Sequence, residues 1–254
     1  MPKVSVIIPV YGVEKYIERC ARSLFEQTLD DIEYLFIDDC TPDRSIEILK
    51  SVLEEYPNRK SQVIIHRMEQ NSGQAAVRKW GMLNATGDYV IHCDSDDWVD
   101  TDMYRAMYEK AVGEDADIVV CDYCETDGIE CGYRKRYKGC GSINKKELIN
   151  NMLENIDSWA VWNKLCRRKL YDNTFIYPAA SMGEDMVITL QLVWKSSTIS
   201  YVPQPLYFYY YNPLSITKKK KVTSESVFNI FSQRRKNTDL VIQYISSMDV
   251  QSFV

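Results

Sequence analysis

The sequence predicts an α/β fold: a mostly parallel central sheet of Rossmann-like type, helices on both faces and a helical extension at the C-terminus. Three observations predict it. Short apolar runs alternate with amphipathic stretches through the N-terminal part of the chain, the pattern of strand–helix–strand units with right-handed crossovers. The first run, VSVIIPV, is apolar at nearly every position, as expected of a strand covered on both faces. Carboxylates then collect just after these runs, where ligands bind in open parallel sheets.

The elements follow in order. VSVIIPV (4–10) is a strand, and EKYIERCARSLFEQ (14–27) places Ile17, Cys20, Ala21, Leu24 and Phe25 at helical spacing. EYLFIDD (33–39) reads as strand, DRSIEILKSVLEEY (43–56) as helix, QVIIHRM (62–68) as strand, GQAAVRKWGMLNAT (73–86) as helix and DYVIHCD (88–94) as strand. Asp100 or Thr101 suits the N-cap of the helix begun by MYRAMYEKA. The second half is less regular. DIVVCDY (117–123) is a strand, CGYRKRYKGCGS (131–142) a hairpin or loop, and helical patterns cover roughly 144–154, 162–171 and 184–195. ISYVPQPLYFYYYN (199–212) has strand character, with Pro203 and Pro205 confining part of it to an edge or loop. Beyond 222, Val227, Phe228, Phe231, Leu240, Val241 and Ile245 indicate one or two amphipathic helices. These divide the chain into 1–115, 116–217 and 218–254.

With 254 residues, 45% hydrophobic and 26% charged, the composition is that of one globular domain with an appended subdomain. No apolar stretch approaches the roughly 20 residues of a membrane span. MPKVSVIIPVYG has no cleavage site and reads as a first strand, so the expected location is cytoplasmic. There the eight cysteines are expected as reduced thiols. Cys121 and Cys124 form a CxxC, with Cys131 and Cys140 downstream, so a zinc site is weighed. Against it, positions three apart on a strand face opposite sides. The net charge of -5 argues against a nucleic-acid partner. Residues 218–236 differ: Lys218, Lys219, Lys220, Lys221, Arg234, Arg235 and Lys236 stand against Glu225 alone, a local +6. The plain reading is a solvated linker and helix. The sharper one is peripheral contact with an anionic membrane surface, which attracts clustered Lys and Arg by about 1 kcal/mol each.

YVIHCDSDDW (89–98) sets Asp94, Asp96 and Asp97 within four residues of one another at a strand end. Carboxylates so close repel unless a cation or water intervenes. A helix cap needs one of them, and the glycine and spacing of a calcium loop are absent. The third reading is a Mg²⁺ or Mn²⁺ ion that also grips a diphosphate. No glycine-rich phosphate loop of either common kind is present. Asp38 and Asp39, after the second strand, suit hydrogen bonds to a ribose or base; the alternative for Asp39 is a helix cap, a role Thr41 or Asp43 fills as well.

VSVIIPVYGVEKYIERCARSLFEQT, FIDDCTPDRS, NSGQAAVRKWGMLNATGDYVIHCDSDD and GEDM together resemble the family 2 glycosyltransferases of GT-A fold, from residue 3 to about 215. The resemblance implies inverting transfer of a sugar from a nucleotide diphosphate donor, usually UDP, to an acceptor hydroxyl. It places Pro9, Val10, Tyr11 and Glu14 in the nucleotide pocket with Asp38, sets Asp39 against the base and puts Arg78 near the base or diphosphate. Asp94, Ser95 and Asp96 match the DxD motif: Asp96 as direct ligand of Mn²⁺ or Mg²⁺, Asp94 also nearer the ribose, and Asp97 in support. Single displacement needs a base opposite the leaving group. The resemblance favours Asp185, with Glu184 beside it; the plain alternative is acids complementing a helix dipole. VWNKLCRRKLY resembles the acceptor-side segment and points to Trp162 and Lys164. Aromatic residues of PLYFYYYN, with Trp159 and Trp162, offer faces on which sugar rings pack.

Departures from the family pattern are Gly12 for the usual Asn, Cys40-Thr41-Pro42 for a run of small residues, and Lys79 for the Asn after Arg78. The QxxRW of processive synthases is absent, so transfer of single sugars is expected, in polysaccharide or glycan biosynthesis, to a lipid-linked glycan at the inner face of the membrane. The alternatives are a sugar nucleotidyltransferase, which normally begins with a glycine-rich loop, a non-catalytic sugar-binding relative, which lacks the metal ligands or base, and a zinc-stapled interaction domain.

Overall fold

The computed structural model describes residues 1–134, 142–154, 156–212 and 224–247. In chain order the elements are β1 (Val4–Val10), α1 (Ile17–Phe25), β2 (Ile32–Asp38), α2 (Ser45–Glu54), β3 (Val63–Arg67), α3 (Gln74–Asn84), β4 (Tyr89–His92), β5 (Trp98–Val99) and α4 (Met103–Gly113). Then come β6 (Ile118–Thr126), β7 (Cys131–Arg134), α5 (Lys145–Leu153), β8 (Lys164–Arg167), α6 (Glu184–Lys195), β9 (Ile199–Tyr210) and α7 (Ser224–Ser246). They form one sheet in the order β3-β2-β1-β4-β8-β6-β9-β5, with β7 paired to β6. β1 to β4 are parallel, as expected, and β8 then runs antiparallel to both β4 and β6.

β1 shows why its sequence is apolar throughout. Val4, Val6, Ile8 and Val10 face a core built with α1, α2 and α4, while Ile7 faces a second core with α3, α5 and α6. Both faces are covered by helices, so alternation has no solvent side to mark. The parallel register pairs Val10 with Asp38 and Ile7 with His92, which sets the ends of β1, β2 and β4 side by side.

Three expectations change. Residues 162–171, expected as helix, form β8 and a short 3-10 turn (Arg168–Leu170). Strand pairing on both edges outweighs the local pattern: Cys166 sits opposite Val90 and Ile118, and Leu165 and Cys166 enter opposite cores. Pro203 and Pro205 lie, as expected, on a part of β9 with an open edge: β5 pairs only with Tyr207 and Phe208. The strand runs twelve residues along β6, and register shifts around Cys121, Asp122 and Tyr123 absorb the prolines. The reduced state expected of every cysteine fails for one pair: Cys124 and Cys131 form a disulfide, Cα atoms 5.5 Å apart, because the β6–β7 register makes them diagonal neighbours. Cys124, weighed as a zinc ligand, thus has its sulfur committed, and Cys140 lies outside the described residues. α4 starts at Met103 as expected, but its N-cap is Asp102 in place of Asp100 or Thr101, and the Asp100 carboxylate accepts from Asp102 N at 2.9 Å.

The C-terminal pattern is one helix, α7; Lys218–Lys221 lie outside the described residues. No helix among the described residues is long and apolar enough to cross a membrane.

Candidate active site

The acidic stretch after β4 is a tight turn, closed by Asp97 N donating to Asp94 O at 3.1 Å. Ser95 Oγ ties it to β1 by donating to Pro9 O at 2.6 Å. The far end of β9 supports it from the other side. Tyr207 OH donates to Asp97 Oδ2 (2.6 Å) and accepts from Asp94 N (3.1 Å), while Tyr210 N donates to Asp97 Oδ1 (2.7 Å). Asn212 Nδ2 donates to Asp96 Oδ2 at 2.8 Å, and Arg19, packed against the rings of both Trp98 and Tyr210, donates to Asp96 O at 3.0 Å. Burial, then the Asp94 charge, pushes the Asp96 carboxyl up; burial followed by Asp96 and Asp94 pushes Asp97 up further.

A second group of acids meets the first through Arg78. The guanidinium is 1% exposed, and its Nη2 donates to Asp94 Oδ1 at 2.8 Å while its Nε lies 3.7 Å from Glu184 Oε1. Burial alone would lower this arginine's pKa, but Asp94, Asp185 and Glu184 more than offset it and hold the proton firmly. Gln74 Nε2 also donates to Asp94 Oδ1, at 3.3 Å. The backbone makes this convergence possible at Gly73. There φ is +81° with ψ 161°, a backbone that glycine alone adopts readily, and a Cβ would also crowd Ser181 Oγ at 2.6 Å on the loop before α6. α6 starts with Glu184 and Asp185 in its first turn. Burial lifts both acids, Glu184 to about 8 with help from Asp185, and Asp185 to about 6 against the pull of Arg78. Asp185 Oδ1 is buried without a hydrogen-bond partner, as are Arg78 Nε and Nη1 and both ring nitrogens of His92, which burial and Arg78 keep neutral.

The nucleotide-side candidates line the ends of β1 and β2. Tyr11 is half-exposed, Val10 buried, and Glu14 accepts from Arg44 N at 3.2 Å. Asp38 accepts from Arg67 Nη1 and Thr41 N, each at 2.7 Å. Asp39 accepts from Ser72 N at 2.7 Å and Gly73 N at 2.9 Å, fixing the loop that leads into α3. Arg44 is the N-cap of α2, and Asp43 just before it ties down the helix start by accepting from Ser45 N at 3.1 Å and Ser45 Oγ at 2.6 Å. Two departures in sequence sit at left-handed backbone: Gly12 has φ +68°, a conformation Asn also tolerates, and Cys40 has φ +57°.

Trp162 and Lys164, the acceptor-side candidates, stand behind the surface. Trp162 stacks on Tyr207 and Tyr209 and meets Tyr123 edge-on. Lys164 Nζ donates to Ser158 O, Ala160 O and Asn163 Oδ1 at 2.8–3.0 Å, and its charge reaches Asp185.

Sequence reasoning missed Arg19, Gln74, Tyr207 and Asn212. Asn212 is 116 residues from Asp96 and Tyr207 is 110 from Asp97, so no local pattern signals them.

The arrangement supplies a carboxylate turn for a cation, a buried arginine joining it to a second acid pair, and one acid with a raised pKa and an unpartnered oxygen. The turn fits a hard divalent ion: the Asp96 and Asp97 carboxyls are held in a crowded, raised state that a cation relieves, and among the described residues nothing donates to Asp94 Oδ2. Among the described residues no three His, Cys, Asp or Glu side chains form a complete metal cage. Mg²⁺ and Mn²⁺ sites commonly use one or two carboxylates with phosphate oxygens and water.

Comparison with known proteins adds an independent line. The sequence pattern described as "Glycosyl transferase family 2" matches residues 5–187. The chain is similar to an uncharacterized glycosyltransferase, EpsJ, of Bacillus subtilis (32% identical over 225 residues, 86% of this chain and 64% of that protein). It is also similar to glycosyltransferase GlyA of Streptococcus pneumoniae (30% over 217 residues, 82% of this chain and 30% of that one). A poly(ribitol-phosphate) beta-glucosyltransferase of Bacillus spizizenii is 29% identical over 217 residues, 82% of this chain and 32% of its own length. This chain therefore spans less than two thirds of the length of these relatives. Among solved structures, S. aureus TarS 1-349 in complex with UDP-GlcNAc shares the fold, with TM-score 0.76 and 21% identity, covering 94% of this chain and 66% of that one.

Proposed function

The chain belongs to glycosyl transferase family 2, and from that premise we propose that it is an inverting glycosyltransferase moving a sugar from a UDP-sugar to a hydroxyl of a glycan acceptor. The observation that carries the reading is the convergence of two acidic groups on the buried Arg78: the Asp94–Asp97 turn on one side, Glu184 and Asp185 on the other. The solved TarS complexes with UDP-GlcNAc and UDP support the choice of donor class.

In this reading the diphosphate lies at the acidic turn, where Asp96, with Asp94, would hold Mn²⁺ or Mg²⁺. Bound there, the ion supplies positive charge against the departing diphosphate. The chain does the rest. Pro9, Val10, Tyr11, Glu14, Asp38 and Asp39 frame the nucleoside, and Ser95 fixes the turn to β1. Asp185 takes the acceptor's hydroxyl proton while that oxygen attacks the anomeric carbon and the bond to the diphosphate breaks on the opposite face. A carboxylate lifted to about 6 is still mostly ionised at neutral pH, yet more basic than a solvated one. Arg78 holds the two sets of acids in one orientation, and Trp162 and Lys164 shape the acceptor side from beneath. The reaction belongs to the cytoplasmic side of a membrane if the acceptor is lipid-linked.

Calorimetric titration of UDP, GDP and dTDP with and without Mn²⁺, on the wild type and on Asp96→Ala, tests the donor site. Metal-dependent binding of UDP that is lost in the variant is the expected result. Binding of none of the three overturns the reading.

A further inference from the structure

α7 is held to the protein by one face and leaves another bare. Asn237, fully buried, accepts from Ala179 N at 3.0 Å and donates to Ala180 O at 2.7 Å and Met182 O at 2.9 Å. Gln233 accepts from Met182 N at 3.2 Å, and Val241 packs against the core on the α6 side. On a different face Phe228 is 76% exposed, Phe231 66%, Ile242 54% and Ile245 39%. At about 3.6 residues per turn these four fall in one stripe spanning roughly 100° of the helix.

From that stripe we infer that α7 is an interfacial helix that docks the protein on an anionic lipid surface. Charge decides the occupant. Arg235, its side chain 85% exposed, falls inside the stripe among Phe228, Phe231 and Ile242, and exposed Arg234 borders it. A second copy of the chain packed on this face would have to desolvate Arg235, whose nearest acid, Asp239, is 4.0 Å away and itself on the outer side. A lipid surface imposes no such cost: the rings enter the acyl boundary while the arginines snorkel to headgroup phosphates. The sequence before the helix adds Lys218–Lys221 of the same sign. The docked helix rests on the loop at 179–183 that leads into Glu184 and Asp185, so the lipid contact lies beside the segment that carries the acid pair. The docking itself stands apart from the donor reading.

Co-sedimentation of the full chain with vesicles tests this, comparing phosphatidylcholine alone with an equimolar mixture of phosphatidylcholine and phosphatidylglycerol. The wild type should sediment with the anionic vesicles, weakly with the neutral ones, and less as salt rises. The pairs Phe228→Ser with Phe231→Ser, and Arg234→Gln with Arg235→Gln, should each weaken binding at least about tenfold. Unchanged helicity and UDP titration in the same variants would separate this from misfolding and from any failure of the donor site. Equal binding to both vesicle types, binding unaffected by either pair, or a wild-type dimer that the phenylalanine pair dissociates would each overturn the proposal.

Discussion

Asp185 and Cys40 are two side chains kept in costly states, for different reasons. Burial makes the charged form of Asp185 expensive and lifts its pKa above the ordinary carboxylate range. A base must be ionised, so transfer activity should fall as pH drops through that raised value, with an acid limb near 6 instead of near 4. Asp185→Asn should lower kcat by about 10²–10⁴-fold and erase that limb while UDP binding persists, which a pH profile with parallel calorimetry measures. Stability has the opposite slope. The folded protein holds protons on Glu184 and Asp185 that the unfolded chain has released, so their contribution weakens as pH rises through the interval above the unfolded carboxylate values. Cys40 is strained by its backbone, at φ +57°. Left-handed conformation costs an L-residue about 1–2 kcal/mol, and glycine's unfolded-state entropy returns part of it. Cys40→Gly should therefore raise stability by about 0.5–1 kcal/mol in denaturant titration, despite losing the Sγ contact to Met68 O. At this scale, side chains whose chemistry is local were legible: three acids in a turn, two acids opening a helix. Arg19 and Asn212 were not, since an arginine in one helix and an asparagine after a distant strand mean nothing until the fold brings them to Asp96.

Among the elements, β8 and β9 carry the same lesson. Helical spacing in 162–171 competes with strand pairing on two edges, and the pairing wins. Proline is tolerated where a strand has a free side, and β9 has one around Pro203 and Pro205, beyond the reach of β5, while the ladder to β6 slips around them. Both outcomes depend on partners remote in sequence, which periodicity does not contain. The β6–β7 hairpin offers a direct test. Its disulfide closes a separation of only seven residues, so the gain from restricting the unfolded chain is modest, about 2 kcal/mol. Cys131→Ser should lower stability by about that amount under oxidising conditions and by little in the presence of dithiothreitol, as paired thermal melts would show. In a reducing cytosol the hairpin then relies on its ladder alone.

For the whole molecule, the parallel half was readable because each strand is followed at once by the helix that covers it, and the mixed half was not, because β8, β6 and β9 assemble out of chain order. A ligand bound to the native state alone should stabilise the entire chain. At a hundred times its dissociation constant it contributes about 2.7 kcal/mol, which for a protein of this size is about 5–10 °C in Tm. UDP with Mn²⁺ should produce that rise in a calorimetric scan, and chelation should abolish it. The support that β9 gives the acidic turn has a further consequence, in time and not in space. A ribosome delivers Asp94, Asp96 and Asp97 long before Tyr207 and Asn212, so the turn emerges without the donors that hold it. During synthesis the first half can pair its parallel strands and bring Arg78 to Asp94, but the Asp96 and Asp97 carboxylates lack these partners until β9 and Asn212 arrive. The acidic turn thus reaches its supported form only after synthesis has passed Asn212, 116 residues beyond Asp96.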